Sequence, residues 1–485
     1  MAPTNIPDAK RFVFEFLDRN AEAVSLIGDS VFQFAELGMQ EYETAKLLTE
    51  TLEGEGFRVE RGISGFPTGF LATCGSGEPV IALHTEYDAN PENSQAAGVA
   101  EAKPIVDGAP GHCEGHNVNA AVLVSGAIAL KRAMERFGIK GTLKVFGAPA
   151  EEQVLCRPYY VRDGHFDDVD IAIHPHIGAE FRAGYGLQQS ALGSAVFTFT
   201  GESAHAGTAP WKGRDALDAV VLMDMGMAQY REHMMPTMRA QRTITNGGKQ
   251  PNVIPKTAAI WWYFRDPSAE GALKLFDQAK KIAEGAALMT NTEWSVDVLS
   301  AVWPTRGNRT VAEAIQRNIE LIGMPEWSAD EEALAKSVQE KSGAKAEGLP
   351  RTVTTMKGPS QQKASANDGG DVSWKVPMVK FYFPANIPGC SAHHWSAGVS
   401  LATSIAHKGA LAGAKAMAAS ALDFLCDPAK VSEAKSTFKE EIGDVVYRPL
   451  LPPDQTPPME LNRAQMEPWR AKLAPHYIKE KPVFA

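Results

Sequence analysis

Two adjacent glutamates, Glu151 and Glu152, close an apolar run of the sequence, LKVFGAPAEE over residues 143–152. Adjacent carboxylates are uncommon just after a buried strand, because neither charge is easily left unpaired there. A divalent metal ion resolves this conflict, since one carboxylate can bind the ion while its neighbour accepts a proton from an activated water. A solvated Glu-Glu pair at the start of a loop is the alternative, and the flanking segments decide against it.

Segments on either side of this pair are crowded with side chains that bind metals. GHCEGH lies upstream over residues 111–116, and IHPH lies downstream over residues 173–176. Imidazole and carboxylate groups fall into five clusters along the chain: His84, Glu86, Asp88, His112, Glu114, His116, Glu151, Glu152, His174, His176, His393 and His394. Taken alone, any one of these histidines is more simply a core or surface residue. Together they form a donor set suited to Zn²⁺, Mn²⁺ or Co²⁺, and they predict a metal site.

The elements that must position these groups are short apolar strands alternating with helices. Strands are expected at 69–74, 79–84, 142–146 and 169–174, an Ala- and Leu-rich helix at 119–137, and two amphipathic helices over about 8–56. This alternation predicts an α/β fold with a helix-covered, mostly parallel sheet. The chemistry of such sheets gathers beyond the carboxyl ends of the strands, which is where His84, Glu151 and His174 are expected.

The middle third of the chain follows the order strand, helix, strand, strand, helix, strand. The strands are expected at 194–200, 241–245, 258–264 and 294–299, and the helices at about 215–233 and 269–290. This order predicts an inserted split βαβ domain. We therefore predict a metal-binding catalytic domain of residues 1–189 plus 309–446, with a lid over residues 190–308.

Two further segments have compositions unlike the rest. The polar, Lys/Glu/Ser-rich segment at about 328–349 is predicted to be a mobile excursion. The Pro-rich extension over residues 447–485 is predicted to be neither regular helix nor central strand, and to wrap the surface or a partner.

The composition restricts the partners and the compartment. The chain has 485 residues and a formal net charge of −10, which favours two or more domains and argues against nucleic acid or an anionic membrane as a partner. The N-terminus lacks the apolar run of a signal peptide, and we expect no segment that spans a bilayer. The five cysteines are scattered and odd in number, so we predict no disulfide framework and a cytoplasmic protein.

Several motifs occur in order along the chain: GHCEGHN (111–117), PAEE (149–152), GESAHA (201–206), GRDALDA (213–219) and PNVIP (251–255). They resemble those of the aminoacylase, hippurate hydrolase and glutamate carboxypeptidase family of metallopeptidases. EYDA (86–89) and DGGDVSW (368–374) resemble its aminobenzoyl-glutamate hydrolase branch, and the resemblance covers roughly residues 8–455. It implies a ferredoxin-like lid that mediates dimerisation, and therefore a homodimer or higher homo-oligomer.

The resemblance also implies roles for individual residues. Glu151 is expected to be the general base. Metal ligands are expected at Glu114, His116, Glu152, His174 and one of the pair His393 and His394, with the spacing to Trp395 favouring His393. The ion would be Mn²⁺ or Zn²⁺, or Co²⁺, with one or two ions per site. Glu114 stands where the branch has cysteine, and Cys113 as the ligand is the alternative. His84 stands where some relatives have a ligating histidine.

The lid is expected to supply the remaining site residues. His205 resembles the histidine that stabilises the developing oxyanion, often across the dimer, although it could be an ordinary turn histidine. Asn252 matches a substrate-binding asparagine, with an Asx turn as the alternative. Arg214 and Arg265 are the candidates for binding a carboxylate of the substrate.

These residues predict a metal-dependent amidohydrolase acting on the C–N bond of a small N-acyl or N-aroyl amino acid similar to aminobenzoyl-glutamate. The water is activated by the metal, and Glu151 carries the proton. Hydrolytic deamination of an aminoaromatic acid by the same water is one alternative, and the aromatic run at 261–264 is compatible with it, although sheet packing explains that run more simply. A non-catalytic subunit or binding module is the other alternative, and it would predict loss of Glu151 or of several ligands.

Overall fold

The chain forms strands and helices along most of the residues that the computed structural model describes, 6–363 and 365–485. The strands are β1 (Arg58–Arg61), β2 (Phe70–Ser76), β3 (Val80–Glu86), β4 (Gly141–Ala148), β5 (Ile171–Gly178), β6 (Gly186–Gln189), β7 (Ala191–Thr200), β8 (Arg239–Asn246), β9 (Thr257–Asp266), β10 (Glu293–Val302), β11 (Arg306–Gly307), β12 (Ser360–Lys363) and β13 (Met378–Pro384). The helices are α1 (Ile6–Arg19), α2 (Ala21–Phe34), α3 (Tyr42–Gly54), α4 (His116–Phe137), α5 (Cys156–Arg162), α6 (Ala216–Tyr230), α7 (Ala269–Thr290), α8 (Arg309–Ile322), α9 (Ala329–Lys341), α10 (Gly370–Lys375), α11 (Trp395–Gly398), α12 (Ser404–Cys426), α13 (Pro428–Ile442) and α14 (Arg463–Leu473).

One mixed sheet forms the centre of the larger unit, with the strands in the order β1-β2-β4-β3-β5-β13. The last four in this order are parallel neighbours, whereas β1 and β2 join antiparallel at one edge. Helices α1, α2, α4 and α12 share a core with one face of the sheet, and α5 and α10 share a core with the other. β3 is consequently buried along its whole length, as its apolar sequence requires. The predicted helix-covered, mostly parallel α/β sheet is confirmed.

Helix α12 corrects the expectation that no segment could span a bilayer. Its 23 residues are long and apolar enough by length and composition. However, 83% of its most apolar 18-residue window is buried inside the protein. Alanines at many of its positions let it pack closely against α4 and β13. A central core helix explains this composition as well as a membrane span would.

The four strands β7 to β10 form a second, wholly antiparallel sheet in the order β10-β7-β9-β8. Helices α6 and α7 pack on it through a separate core. The chain order and the sheet order are those of the predicted ferredoxin-like lid, which is confirmed. Its predicted limits at residues 190 and 308 enclose these strands and stay a prediction. The short strands β11, β6 and β12 form a third sheet, and β6 and β11 adjoin the lid in the sequence.

Three sequence-based expectations about helices are wrong. Residues 8–56 form three helices, α1 to α3, rather than two. The polar segment near 328–349 contains α9, which begins with a capping box between Ser328 and Glu331 and buries Val338. The Pro-rich extension contains α14, in which burial of Met466 and Leu473 offsets the cost of an internal proline.

A buried ion pair network joins α5 to the central sheet and to the turn before α10. The guanidinium of Arg157 binds Glu86 at the end of β3 and Asp368, and all three side chains are fully buried. The backbone N–H of Arg157 also donates to Asp368, at 3.0 Å. A buried cation between two carboxylates is favourable only while all the partners are present.

We predict that Arg157→Met lowers the free energy of unfolding by about 3–5 kcal/mol, because it leaves two buried carboxylates without their counter-ion. Urea unfolding followed by circular dichroism would measure the change. Lys274→Met, which removes an exposed pair with Glu270 on the lid, should leave the unfolding midpoint where it is. An Arg157→Met protein that unfolds at the wild-type urea concentration would contradict the role assigned to this network.

Candidate active site

The two glutamates of the PAEE motif lie on a tight turn just beyond the carboxyl end of β4. Residues 151–153 form a single 3-10 turn, and the residues on either side, Ala150 and Val154, both have left-handed backbone angles (φ 57° and 56°). A left-handed β-branched residue is strained, so surrounding contacts must hold this turn. Glu41 accepts a hydrogen bond from the N–H of Ala150 at 2.8 Å, and Asp88 accepts one from the N–H of Glu152 at 2.9 Å.

Glu152 lies in a first group of potential metal ligands with Glu114 and His393. The Nε2 atom of His393 is 2.7 Å from Glu114 Oε1 and 3.5 Å from Glu152 Oε2. One ligand atom of each residue lies within 4.8 Å of the others. His393 adopts a left-handed backbone conformation (φ 58°), a strained conformation often found at functional sites. The hydrogen bonds to Glu114 and Glu152 raise the pKa of His393 to about 10.

The neighbours of these ligands point elsewhere. The thiol of Cys113 donates to Asn90 Oδ1 at 3.0 Å and is not part of the group, so the structure places Glu114, not Cys113, with the other ligands. The ring of His394 is 2.9 Å from the hydroxyl of Ser396 at the start of α11. The sequence left two choices of ligand open. The geometry favours Glu114 over Cys113, and His393 over His394.

His116, the first residue of α4, joins two further groups of potential ligands. One group contains Glu151 and Glu152, and the other contains Glu86 and His176. The Nδ1 atom of His116 lies 3.1 Å from the carbonyl oxygen and 3.2 Å from the carboxylate of Asp88, which orients the ring. Its Nε2 atom faces Glu151, at 3.8 Å from Oε2.

The donors present fit a divalent cation. Among the described residues, His116 Nε2 and Glu152 Oε1 are buried polar atoms without a hydrogen-bond partner. Burial and the charge of Glu114 raise the pKa of Glu152, so the cluster is short of positive charge. Imidazoles and carboxylates that converge within coordinating reach suit the borderline and hard divalent cations predicted from the sequence.

The two histidines of β5 are placed differently from the sequence-based expectation. His174 is fully buried, with Nε2 at 2.9 Å from Glu86 and its ring 4.7 Å from that of His84, and it belongs to none of the three groups. His176, two residues closer to the carboxyl end of the strand, belongs to the group with Glu86 and His116. Both side chains point to the same face, so the alternation of the strand could not distinguish them. The sequence lists His176 among the clustered candidates, but the resemblance selected His174 from this strand as the expected ligand.

The side-chain amide of Asn367 orients Glu151, the expected general base. Asn367 Nδ2 donates to Glu151 Oε1 at 2.5 Å. Asn367 Oδ1 accepts from the N–H of Gly369 at 2.9 Å and from Arg157 at 3.4 Å, which fixes the orientation of the amide. Burial raises the pKa of Glu151 well above its usual range, and the charge of Glu86 raises it further. Asn367 has no motif of its own, and no pattern in the sequence indicates this contact.

Two cavities flank the ligand groups. One, of about 530 Å³, is lined by Glu114, Glu151, Glu152, Val154, His176, Gln189, Gln241, Tyr263, Arg265, Lys363, Ser365, Ala366, Asn367, Lys380, Tyr382 and His393. The other, of about 430 Å³, is lined by Asn90, Pro91, Glu152, Gln153, Gln241, Arg242, Thr243, Trp261, Tyr263 and His393. The lid contributes Gln241 and Tyr263 to both. In β9, Trp262 and Phe264 fill the lid core while Trp261 and Tyr263 face the cavities, so packing explains only half of the aromatic run.

The three lid residues predicted to act in the site lie elsewhere within the chain. His205 is exposed, and its Nδ1 accepts from the N–H groups of Gly207 and Thr208. Asn252 is exposed, and Arg214 lies 3.9 Å from Glu202. None of His205, Asn252 and Arg214 lines either cavity. Arg265, the other arginine considered, lines the larger one.

Comparisons with known proteins show the family to which the chain belongs. The profile of the peptidase dimerisation domain matches residues 187–289. The chain is 33% identical to one subunit of the p-aminobenzoyl-glutamate hydrolase of Escherichia coli, over 92% of its own length and 98% of that protein. The chain belongs to the M20 family of metal-dependent peptidases and amidohydrolases. The family membership predicted from the motifs is therefore confirmed.

Two other M20-related proteins extend the comparison. The chain is 28% identical to the Xaa-Arg dipeptidase of Mus musculus, over 89% of its length and 92% of that enzyme. A dinuclear metal-binding M20 peptidase from Bacillus subtilis has the same fold, with a TM-score of 0.53 at 18% identity, covering 84% of this chain and 99% of that one. This M20 chain is an enzyme that hydrolyses carbon–nitrogen bonds in a metal-dependent reaction, as predicted.

We predict that His176→Gln weakens metal binding far more than His174→Gln. His176 lies among the candidate ligands, whereas His174 only contacts Glu86 behind them. Loss of a supporting contact typically costs about 10- to 100-fold in affinity, and loss of a ligand costs more. Competition with a fluorescent chelator, checked by plasma mass spectrometry, would measure both variants. If His174→Gln lost more metal affinity than His176→Gln, His174 and not His176 would be the ligand from β5.

Proposed function

We propose that this enzyme hydrolyses the amide bond of N-acyl or N-aroyl amino acids, with compounds similar to aminobenzoyl-glutamate among its substrates. The position of Glu151 carries this proposal, because its carboxylate faces the ligand groups on one side and the larger cavity on the other. The activity of the Escherichia coli relative, together with the near-complete coverage of that protein, supports the same substrate class. The aromatic wall formed by Trp261 and Tyr263 suits an aroyl group.

The residues that would hold the cation are Glu114, His116, Glu152 and His393, with His176 or His174 from β5. A divalent ion held there would lower the pKa of a water molecule and polarise an amide carbonyl. Glu151 is the group in position to take the proton of the attacking water and to deliver it to the departing nitrogen. Asn367 occupies Oε1 of Glu151, so Oε2, on the side of His116, is the oxygen free to exchange protons.

The carboxylate-rich donor set supports Mn²⁺ or Zn²⁺ as the ion, with Co²⁺ as a further candidate. The group of His116, Glu151 and Glu152 shares His116 with one of the other two groups and Glu152 with the other, which gives room for one ion or for two adjacent ions. The Bacillus subtilis peptidase with the same fold is a dinuclear metal-binding protein, and this supports a pair of ions. His84, fully buried behind His174, lies outside all three groups.

We propose a homodimer formed through the lid, and a cytoplasmic location. β8 is an edge strand of the lid sheet, and Ile244 on it, like Val221 and Met225 on α6, is an exposed apolar side chain. The dimerisation-domain match supports this surface as an interface. A partner's lid could then supply His205, Asn252 and Arg214, which are exposed within one chain. Five free cysteines support a reducing compartment.

Glu151→Gln should lower kcat for an N-aroyl amino acid by about 10²- to 10⁴-fold, the usual contribution of a general base. The measurement is release of the amino acid by metal-loaded protein, with bound metal quantified in the same samples. Glu135→Gln, on the exposed side of α4, is the matched control and should retain full activity. If Glu151→Gln hydrolysed the substrate at the wild-type rate, the assignment of Glu151 as the base would be wrong.

A further inference from the structure

A buried lysine on β13 has no role in the cation site. Lys380 is 3% exposed and lines the 530 Å³ cavity. Its ammonium nitrogen lies over the ring of Tyr382, 6.0 Å from the ring centroid. Among residues 6–363 and 365–485, no carboxylate pairs with this ammonium and no acceptor hydrogen-bonds to it. Burying an unpaired ammonium is strongly unfavourable, so a protein retains one where the charge is used.

The sheet directs Lys380 toward the site. β13 runs parallel to β5, with Lys380 opposite His174 and Tyr382 opposite His176. Residues paired in this way point to the same face of the sheet. Lys380 therefore lies on the face that carries the candidate ligand His176, one strand further from the PAEE turn. Its ammonium and the ligand groups border the same cavity.

Of the cations near Lys380, Arg182 and Lys357 pair with Glu180, and Arg265 and Lys363 line the same cavity as Lys380. Arg182, whose guanidinium lies 4.8 Å from the Tyr382 ring, pairs with Glu180 at 2.5 Å. Lys357 pairs with Glu180 at 3.0 Å. The carboxylates that line the larger cavity in the described part of the chain are those of Glu114, Glu151 and Glu152, which belong to the cation site. We therefore expect the ligand to bring the anion that neutralises Lys380.

We propose that Lys380 binds a carboxylate on the amino-acid portion of the substrate and thereby selects amides whose leaving amine is anionic. The proposal rests on the proposed amide hydrolysis and adds the group that recognises the substrate. When the amide lies at the ligand groups, a carboxylate of the leaving amino acid extends into the larger cavity. The acyl group then occupies the cavity of about 430 Å³ that Trp261 and Tyr263 line. A charge-assisted hydrogen bond to a buried ammonium is strong, and a neutral ligand would leave that ammonium unpaired.

The test compares Lys380→Met with Lys380→Arg and with Lys375→Met, a control on α10 whose ammonium pairs with Asp167 at 2.7 Å. The substrates are N-benzoyl-glutamate, N-benzoyl-glutamine, N-benzoyl-4-aminobutyrate and the neutral N-benzoyl-butylamine. Lys380→Met should raise KM for N-benzoyl-glutamate by about 10- to 100-fold and leave the neutral amide nearly unchanged. Loss confined to N-benzoyl-glutamine identifies the α-carboxylate, and loss confined to N-benzoyl-4-aminobutyrate identifies the side-chain carboxylate. Lys380→Arg should recover part of the loss.

Two readouts do not depend on turnover. Binding of free glutamate, measured by calorimetry on metal-loaded protein, should weaken in Lys380→Met by the same factor as KM rises. The thermal unfolding midpoint of Lys380→Met should rise, because the variant no longer buries an unpaired charge. Equal losses on anionic and neutral amides, unchanged glutamate binding, or a lowered midpoint would overturn the proposal. If the wild type binds glutamate through Lys380 but cleaves none of the amides, the proposed reaction fails and the carboxylate site stands.

Discussion

The contact between Arg157 and the carboxylates of Glu86 and Asp368 is the interaction around which the site is arranged. Burial alone would raise the pKa of Glu86, but His174 and Arg157 together lower it well below its usual range. The carboxylate of Glu86 also contacts His174 and His176 at the end of β5. Through Asn367, which contacts the same guanidinium, the network also reaches Glu151. One buried cation thus fixes the base and the β5 histidines with respect to each other.

Charge is distributed unevenly across the centre of the molecule. The ligand groups gather Glu114, Glu151 and Glu152 around His116 and His393, and a divalent cation offsets carboxylates that are otherwise costly to bury together. On the other side of the cavity lies the buried Lys380, for which the part of the chain that the structure describes offers no counter-ion. The site therefore has an excess of carboxylates at one end and the positive charge of Lys380 at the other. This distribution matches a substrate with an amide group at one end and a carboxylate at the other. The overall charge of −10 gives no indication of this local arrangement.

Much of this could be predicted from the sequence, for reasons that are specific to each residue. The PAEE and GHCEGH segments follow strand and turn signals closely enough to place Glu151, Glu152 and His116 at one edge of the sheet. Alternation could not separate His174 from His176, because residues two apart on a strand share a face. The capping box at Ser328 was a readable helix signal that composition obscured. Asn367 and Lys380 reach the site only through the late crossover to β13, although a lysine within an otherwise apolar strand could have been noticed.

The central claim is that these side chains converge on a divalent cation. Anomalous diffraction from crystals of active, Mn²⁺-loaded protein tests it most directly, since it locates the ion without reference to activity. We predict the strongest peak among Glu114, Glu152 and His393, within about 2.0–2.3 Å of their ligand atoms. A strongest peak beside His84 and His174, or the absence of any peak at the PAEE turn in active crystals, would contradict it.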